Sequence, residues 1–152
     1  MSDRNRMGRY WLAGGVLLSA IAFAATPQET QKARHEHYEE LGDAFKAVRD
    51  GTKAETPDFA AIQQAAEIVN KASINQGQWF PKGTGTEAGK TRALPEIWSK
   101  PDDFIAAQKL FEERAPKLLA AAKSKDVDAV NKAFKELGGA CKNCHDNFRA
   151  PE

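Results

Sequence analysis

Apolar residues recur at intervals of three and four positions in four separate stretches of the chain, which is the spacing of amphipathic helices. The first stretch begins at Thr26-Pro27-Gln28-Glu29, where a capping-box pattern is combined with a proline at the first helical position. It ends near Gly51. The second stretch begins at the similar signal Thr56-Pro57-Asp58 and ends near Asn75. The first half of the chain is therefore predicted to form two helices.

Two more helices are predicted in the second half. The third begins at Pro101-Asp102-Asp103, where early acidic residues suit the positive end of the helix dipole, and it ends near Lys123. Pro116 falls inside this helix and is expected to bend it, because proline removes one backbone donor. The fourth helix begins at Asp126 or Asp128 and continues toward the C-terminus.

The segment from residue 76 to residue 100 breaks the helical pattern. Its scattered glycines and prolines predict a loop, yet it also contains Trp79, Phe80 and Trp98. A structureless loop of this length is often functional, and these aromatics suggest that it folds over something apolar. Because the chain has no strand pattern, the sequence predicts an all-α fold, an antiparallel four-helix bundle with a long loop between helices two and three.

The N-terminus has the layout of a secretory signal. Arg4, Arg6 and Arg9 precede an uncharged apolar run over residues 10–25, and small residues favour cleavage after Ala24. An uncleaved anchor is the alternative, but the run of about 16 residues is shorter than the roughly 20 that span a bilayer. The predicted organisation is therefore a cleaved signal peptide over residues 1–24 and one domain over 25–152, located in the bacterial periplasm.

The charge balance excludes one class of partner. The whole chain has 22 basic and 21 acidic residues, and three of the basic residues and one of the acidic residues lie in residues 1–24. Removal of that segment would leave 19 basic and 20 acidic residues, so the remaining chain is nearly neutral. It has no basic block interleaved with aromatics, and nucleic acid is not expected as a partner.

The sequence Cys141-Lys142-Asn143-Cys144-His145 has the Cys-x-x-Cys-His spacing of covalent haem attachment. Thiols three positions apart can each form a thioether with a haem vinyl group, and the next residue then presents its imidazole to the iron. A redox disulfide would be expected beside a βαβ pattern, which is missing. A zinc site needs four ligands, and only His35 and His37 remain elsewhere. The motif predicts one covalently bound haem c, held by Cys141 and Cys144, with His145 as the metal ligand.

A six-coordinate electron carrier would need a second axial ligand, most often methionine. Both methionines, Met1 and Met7, lie in the segment expected to be removed. His35 and His37 each lie roughly a hundred degrees from the apolar stripe of the first helix, so both are expected to be solvated surface residues. Ligation of the iron by His37 remains the alternative.

These motifs and their positions resemble the cytochrome c prime family, the class II c-type cytochromes, over nearly all of the chain after residue 24. The attachment motif lies near the C-terminus and is followed by Phe148 and Arg149. Helix one contains Arg34 and, four residues later, Tyr38. The loop is similar to the family's in two segments, Phe80-Pro81-Lys82-Gly83-Thr84 and Lys90-Thr91-Arg92-Ala93-Leu94-Pro95-Glu96-Ile97-Trp98.

The resemblance implies a four-helix bundle, often homodimeric, with a five-coordinate, high-spin haem. Arg34 would approach a haem propionate and Tyr38 would lie over the vacant face of the iron. Arg149 would lie on the last helix beside His145 and tune it electrostatically.

The function implied is binding of small diatomic gases, nitric oxide and carbon monoxide, in nitric oxide scavenging or tolerance with a link to redox chemistry. The alternative is a diffusible electron-transfer cytochrome with a sixth ligand, exchanging electrons with a periplasmic redox partner. An enzyme such as a peroxidase is not expected, because it needs a distal acid–base residue and neither histidine has independent support for that role.

Overall fold

Four long helices form the protein in a computed structural model that describes residues 25–151. The predicted signal peptide, residues 1–24, lies outside the described residues. The described chain forms α1 (Pro27–Lys53), α2 (Phe59–Ser73), the single turn α3 (Glu96–Ser99), α4 (Pro101–Ser124) and α5 (Val127–Phe148). Across residues 25–151, no helix is both long enough and apolar enough to cross a membrane. The prediction of an all-α four-helix bundle is confirmed.

The helix starts follow from local capping chemistry. At α1, the hydroxyl of Thr26 accepts a hydrogen bond from the Glu29 amide at 3.2 Å, and the Glu29 carboxylate accepts one from the Thr26 amide at 2.7 Å. The side chain of Asp58 caps α2 in a similar way, and that of Asp126 caps α5, which decides between the two predicted starts of the last helix. These contacts satisfy backbone donors that have no partner inside a helix.

The four long helices enclose a common core. Contacts run from α1 to α2, from α2 to α4, from α4 to α5 and from α5 back to α1, so each helix packs against two others. Phe45 of α1 stacks on Phe134 of α5 with ring centroids 4.0 Å apart. α4 continues through Pro116 as one helix. The largest side chains that are fully buried in this main core are Val48, Ile62, Val69, Leu118, Val130 and Leu137.

A second, smaller apolar cluster lies at the start of α4 and the end of α5. We call it the aromatic cluster: Ile97, Phe104, Ala107 and Phe148 are buried, and Phe80, Ala93, Trp98 and Cys144 pack against them. Phe104 packs edge-on against both Phe80 and Phe148, with centroids 5.0 and 5.1 Å apart. The loop aromatics are thus folded over an apolar surface, as the sequence indicated.

The segment between α2 and α4 has more structure than the sequence predicted. We call residues 74–95 the crossover loop. It begins with a 3-10 turn (Gln76–Trp79), and it is followed by the helical turn α3. Near its end, Ala93 forms an isolated antiparallel bridge with Arg149, and the amide of Leu94 donates to the carbonyl of Phe148 at 3.0 Å. The long loop between the second and third long helices was predicted, but its short elements were not, because they have no hydrophobic period of their own.

Candidate haem attachment site

The Cys-x-x-Cys-His motif lies in the last two turns of α5. Residues three positions apart share one face of a helix, and both cysteines are half-buried with free thiols. Cys141 packs against the main core and Cys144 against the aromatic cluster. Burial raises the pKa of the Cys141 thiol to about 11 and raises that of Cys144 as well. The helix therefore presents two adjacent thiols to apolar surroundings.

His145 follows the second thiol and remains exposed at the surface. Partial desolvation lowers the pKa of its imidazole, and the positive charges of Arg149 and Arg92 lower it further, while Asp146 opposes them. The neutral imidazole is thus favoured at neutral pH, and this is the form that binds a metal ion.

Tyr38 of α1 is half-buried and interacts electrostatically with the motif. Burial raises the pKa of its phenol, as do the thiols of Cys144 and Cys141, while Arg34 and Arg149 lower it. The phenol therefore interacts electrostatically with all four of those predicted site residues. The ring itself packs edge-on against Trp79, with centroids 5.2 Å apart.

Arg34 is buried and holds the crossover loop against α1. Its guanidinium donates to Trp79 O at 3.1 Å, to Thr84 Oγ1 and O at 3.0 and 2.9 Å, and to Thr91 Oγ1 at 3.2 Å. It also lies over the ring of Phe80, 4.6 Å from the centroid. No carboxylate within residues 25–151 forms an ion pair with Arg34, so its charge is solvated only by neutral acceptors.

Arg149 differs from its predicted position. It is the residue after the end of α5, with an extended backbone at φ −126° and ψ 125°, because its bridge to Ala93 draws the chain away from the helix. It still acts on His145 through its charge. The predicted electrostatic influence thus comes from the chain beyond the helix, and Arg92 of the crossover loop adds to it.

The two other histidines lie on the outside of α1. His35 is exposed and pairs with Glu39 at 3.3 Å. His37 is also exposed and stacks on the indole of Trp79, with centroids 4.8 Å apart and an interplanar angle of 26°. The stacking partner could not be found from the sequence, because 42 positions separate the two residues.

Two further polar side chains were missed by sequence reasoning. Thr84 is almost fully buried and connects Arg34 to the loop, with its hydroxyl donating to Pro81 O at 2.8 Å. Gln108 of α4 has a buried side-chain nitrogen with no hydrogen-bond partner within residues 25–151. Single polar residues of this kind carry no motif, and only the tertiary structure shows what they contact.

The residues present fit a covalently bound haem. The donor set is two free thiols and an imidazole at positions i, i+3 and i+4 of one helix, which is the arrangement that thioether attachment requires. Large aromatic rings lie next to Cys144, as a flat apolar macrocycle needs. The side-chain nitrogen of Gln108 has no partner within residues 25–151, and a propionate would be a suitable acceptor for such a donor. The same carboxylate would compensate the buried charge of Arg34, which has no carboxylate partner in that part of the chain.

Comparisons with known proteins agree with this fit. The family model described as Cytochrome C' matches residues 29–149. Cytochrome c' from Alcaligenes xylosoxydans is 33% identical over 126 residues, which is 82% of this chain and 96% of the relative.

Two solved structures are similar in fold. One is a cytochrome c' with an unusual ligand-controlled dimer dissociation, with a TM-score of 0.80 and 26% identity over 85% of this chain and 100% of that one. The other is the nitric oxide complex of a mutant of cytochrome c prime from Alcaligenes xylosoxidans, with a TM-score of 0.76 and 30% identity over 86% of this chain and 100% of that one. With a family model that spans most of the sequence, the chain belongs to the cytochrome c prime family, which implies a covalently bound c-type haem.

Proposed function

We propose that this protein is a periplasmic cytochrome that carries one haem c and binds small diatomic gases at a five-coordinate iron. Cys141 and Cys144 form the thioethers and His145 is the proximal ligand. When bound, the haem would supply an iron that can bind nitric oxide or carbon monoxide. The biological role we propose is nitric oxide scavenging or tolerance.

The observation that carries this proposal is the contrast between Tyr38 and the two histidines of α1. Tyr38 is half-buried and interacts electrostatically with the thiols, whereas His35 and His37 are both exposed and contact other partners. A neutral phenol is a poor sixth ligand, because burial raises its pKa and disfavours the phenolate that would bind iron. The surroundings of Tyr38 therefore favour an iron that stays open on its distal face.

The other predicted residues have supporting roles in this proposal. Arg34, buried without a carboxylate partner in the described chain, would attract a propionate through its charge. Arg149 and Arg92 favour the neutral form of His145. Tyr38 limits ligand size through the bulk of its ring, so that small neutral gases enter more readily than larger or anionic ligands.

The optical spectrum of the purified, haem-loaded protein tests the proposal. We expect a high-spin spectrum in the dithionite-reduced state that shifts when carbon monoxide or nitric oxide is added. A sharp low-spin spectrum without a gas response would overturn it and indicate a sixth ligand, with His37 as the first suspect. The function would then be diffusible electron transfer.

Two variants of Tyr38 test its distal placement. Tyr38→Ala should speed carbon monoxide association by at least about tenfold, equivalent to a barrier lowered by about 1.4 kcal/mol. Tyr38→Phe is the matched control, because it keeps the bulk and removes only the hydroxyl. Equal association rates in Tyr38→Ala and the parent protein would contradict a steric role.

Assembly and location are further parts of the proposal. We infer export to the periplasm from the signal-like residues 1–24, a homodimer from the family resemblance, and a periplasmic redox partner that returns the iron to its ferrous state. Mass measurement of the exported protein would test the cleavage after Ala24, and sedimentation would test the dimer.

A further inference from the structure

Three side chains of α1 contact Trp79 of the crossover loop. Arg34 donates to its backbone carbonyl at 3.1 Å, His37 stacks on its indole at 4.8 Å, and Tyr38 meets the indole edge-on at 5.2 Å with the planes 84° apart. Because positions 34, 37 and 38 are spaced by three and four, they lie along one side of the helix. Arg34 therefore holds the backbone of Trp79, and His37 and Tyr38 contact its ring.

The two rings that contact the indole lie at different depths. His37 is exposed to solvent, whereas Tyr38 is half-buried. The exposed His37 stacks on the Trp79 indole, and the half-buried Tyr38 contacts the same indole edge-on.

We propose that His37 is a positioning residue, which holds the Trp79 indole against Tyr38 and thereby keeps the phenol over the distal face of the iron. This inference rests on the proposed function, which assigns the distal position to Tyr38. The ring of Tyr38 has two side-chain torsions, and its remaining ring neighbour, Phe80, is farther away with centroids 6.2 Å apart. When the imidazole is removed, the indole loses its stacking partner and can rotate, so Tyr38 gains freedom to move.

The neighbouring histidine provides a matched control. His35 lies two residues earlier on α1, is exposed like His37, and pairs with Glu39. Among the described residues, His35 makes no aromatic contact like that of His37 with Trp79. A general effect of removing a surface imidazole from α1 should therefore occur equally in both variants.

The experiment compares His37→Ala, His37→Phe and His35→Ala in the full haem-loaded protein with two readouts. One is the rate of carbon monoxide association after flash photolysis. The other is nitration of Tyr38 by tetranitromethane, mapped by mass spectrometry, which reports exposure of the phenol without any gas. The chain has two tyrosines, and Tyr10 lies in the predicted signal peptide, so the modified peptide identifies Tyr38 unambiguously.

We expect His37→Ala to raise both rates by about threefold or more, the order of effect that loss of one aromatic pair can produce. His37→Phe keeps a stacking ring and should restore both parent rates, and His35→Ala should change neither. The positioning role would be overturned if Tyr38 were nitrated at the parent rate in His37→Ala. It would also be overturned if His37→Phe failed to restore the parent nitration rate. Faster nitration with unchanged gas association would overturn its link to ligand entry.

Failure of the proposed function gives a different result. A parent protein that binds no carbon monoxide would refute gas binding. The nitration rates would then decide alone whether His37 holds Tyr38 through Trp79.

Discussion

Replacing Arg34 with methionine removes the side chain that ties the crossover loop to α1. Methionine keeps much of the apolar stem over Phe80 but loses four hydrogen bonds of 2.9–3.2 Å. The acceptors are affected unequally. Thr84 O still accepts from Gln31, whereas Trp79 O has no other donor within the described residues.

The cost follows from these four bonds. Leaving the partly buried carbonyl of Trp79 without a donor costs at most about 3 kcal/mol, and each of the other three lost bonds costs about 1 kcal/mol. Removal of a buried charge offsets part of this loss, and we expect a net decrease of about 3 kcal/mol in the free energy of unfolding. Guanidinium chloride unfolding of the haem-loaded protein, followed by far-UV circular dichroism, measures the difference.

Arg114→Met is the matched control. Arg114 is half-buried and donates a single bond to Glu136 O at 2.6 Å, joining α4 to α5, so its loss should cost about 1 kcal/mol. If Arg34→Met destabilises the protein no more than Arg114→Met does, the loop is not held by the Arg34 guanidinium as the contacts indicate.

Three further predictions concern α1. Gly51→Ala should destabilise the protein by about 1–3 kcal/mol, because its new Cβ would lie 2.7 Å from Cγ1 of the buried Ile62. Gly42→Ala, whose Cβ meets nothing within 4 Å, should instead stabilise the protein by about 0.5–1 kcal/mol. Denaturant unfolding should therefore show changes of opposite sign in the free energy of unfolding of the two variants. Changes of the same sign would refute the packing argument. Hydrogen bonds, of which the one from Arg49 has the largest effect, lower the pKa of the Asp50 carboxyl to about 2. The stability that ionised Asp50 contributes is therefore present above pH 3.8 and is lost as the pH falls toward 2. Arg49→Gln should raise that pKa in an NMR titration, and an unchanged value would contradict the assignment.

The helices could be predicted because their signals are local. Thr26, Asp58 and Asp126 each cap a helix through amides two or three residues away, so the sequence contains the whole interaction. The spacing of Cys141 and Cys144 is likewise a property of a single turn. These features need no knowledge of the tertiary fold.

The contacts of the crossover loop could not be predicted, because each partner is distant in sequence. Arg34 was expected near the site from family resemblance, but nothing local indicates that Thr84 and Thr91 accept its hydrogen bonds. Arg149 was expected on a helix, and its bridge to Ala93 places it beyond the helix end. Such pairings are chosen by packing rather than by periodicity.

The side-chain hydrogen bonds that fix the crossover loop to α1 and to the C-terminal segment join residues 45 to 58 positions apart. A helical hydrogen bond joins residues four positions apart, whereas a contact between residues about fifty positions apart requires the chain between them to lose entropy before the contact forms. We therefore expect the bundle to form early in folding and the loop to dock on it afterwards. The ring that contacts Tyr38 belongs to this loop, so the surroundings of the site would be the last region to order and the first to exchange amide protons under mild denaturant.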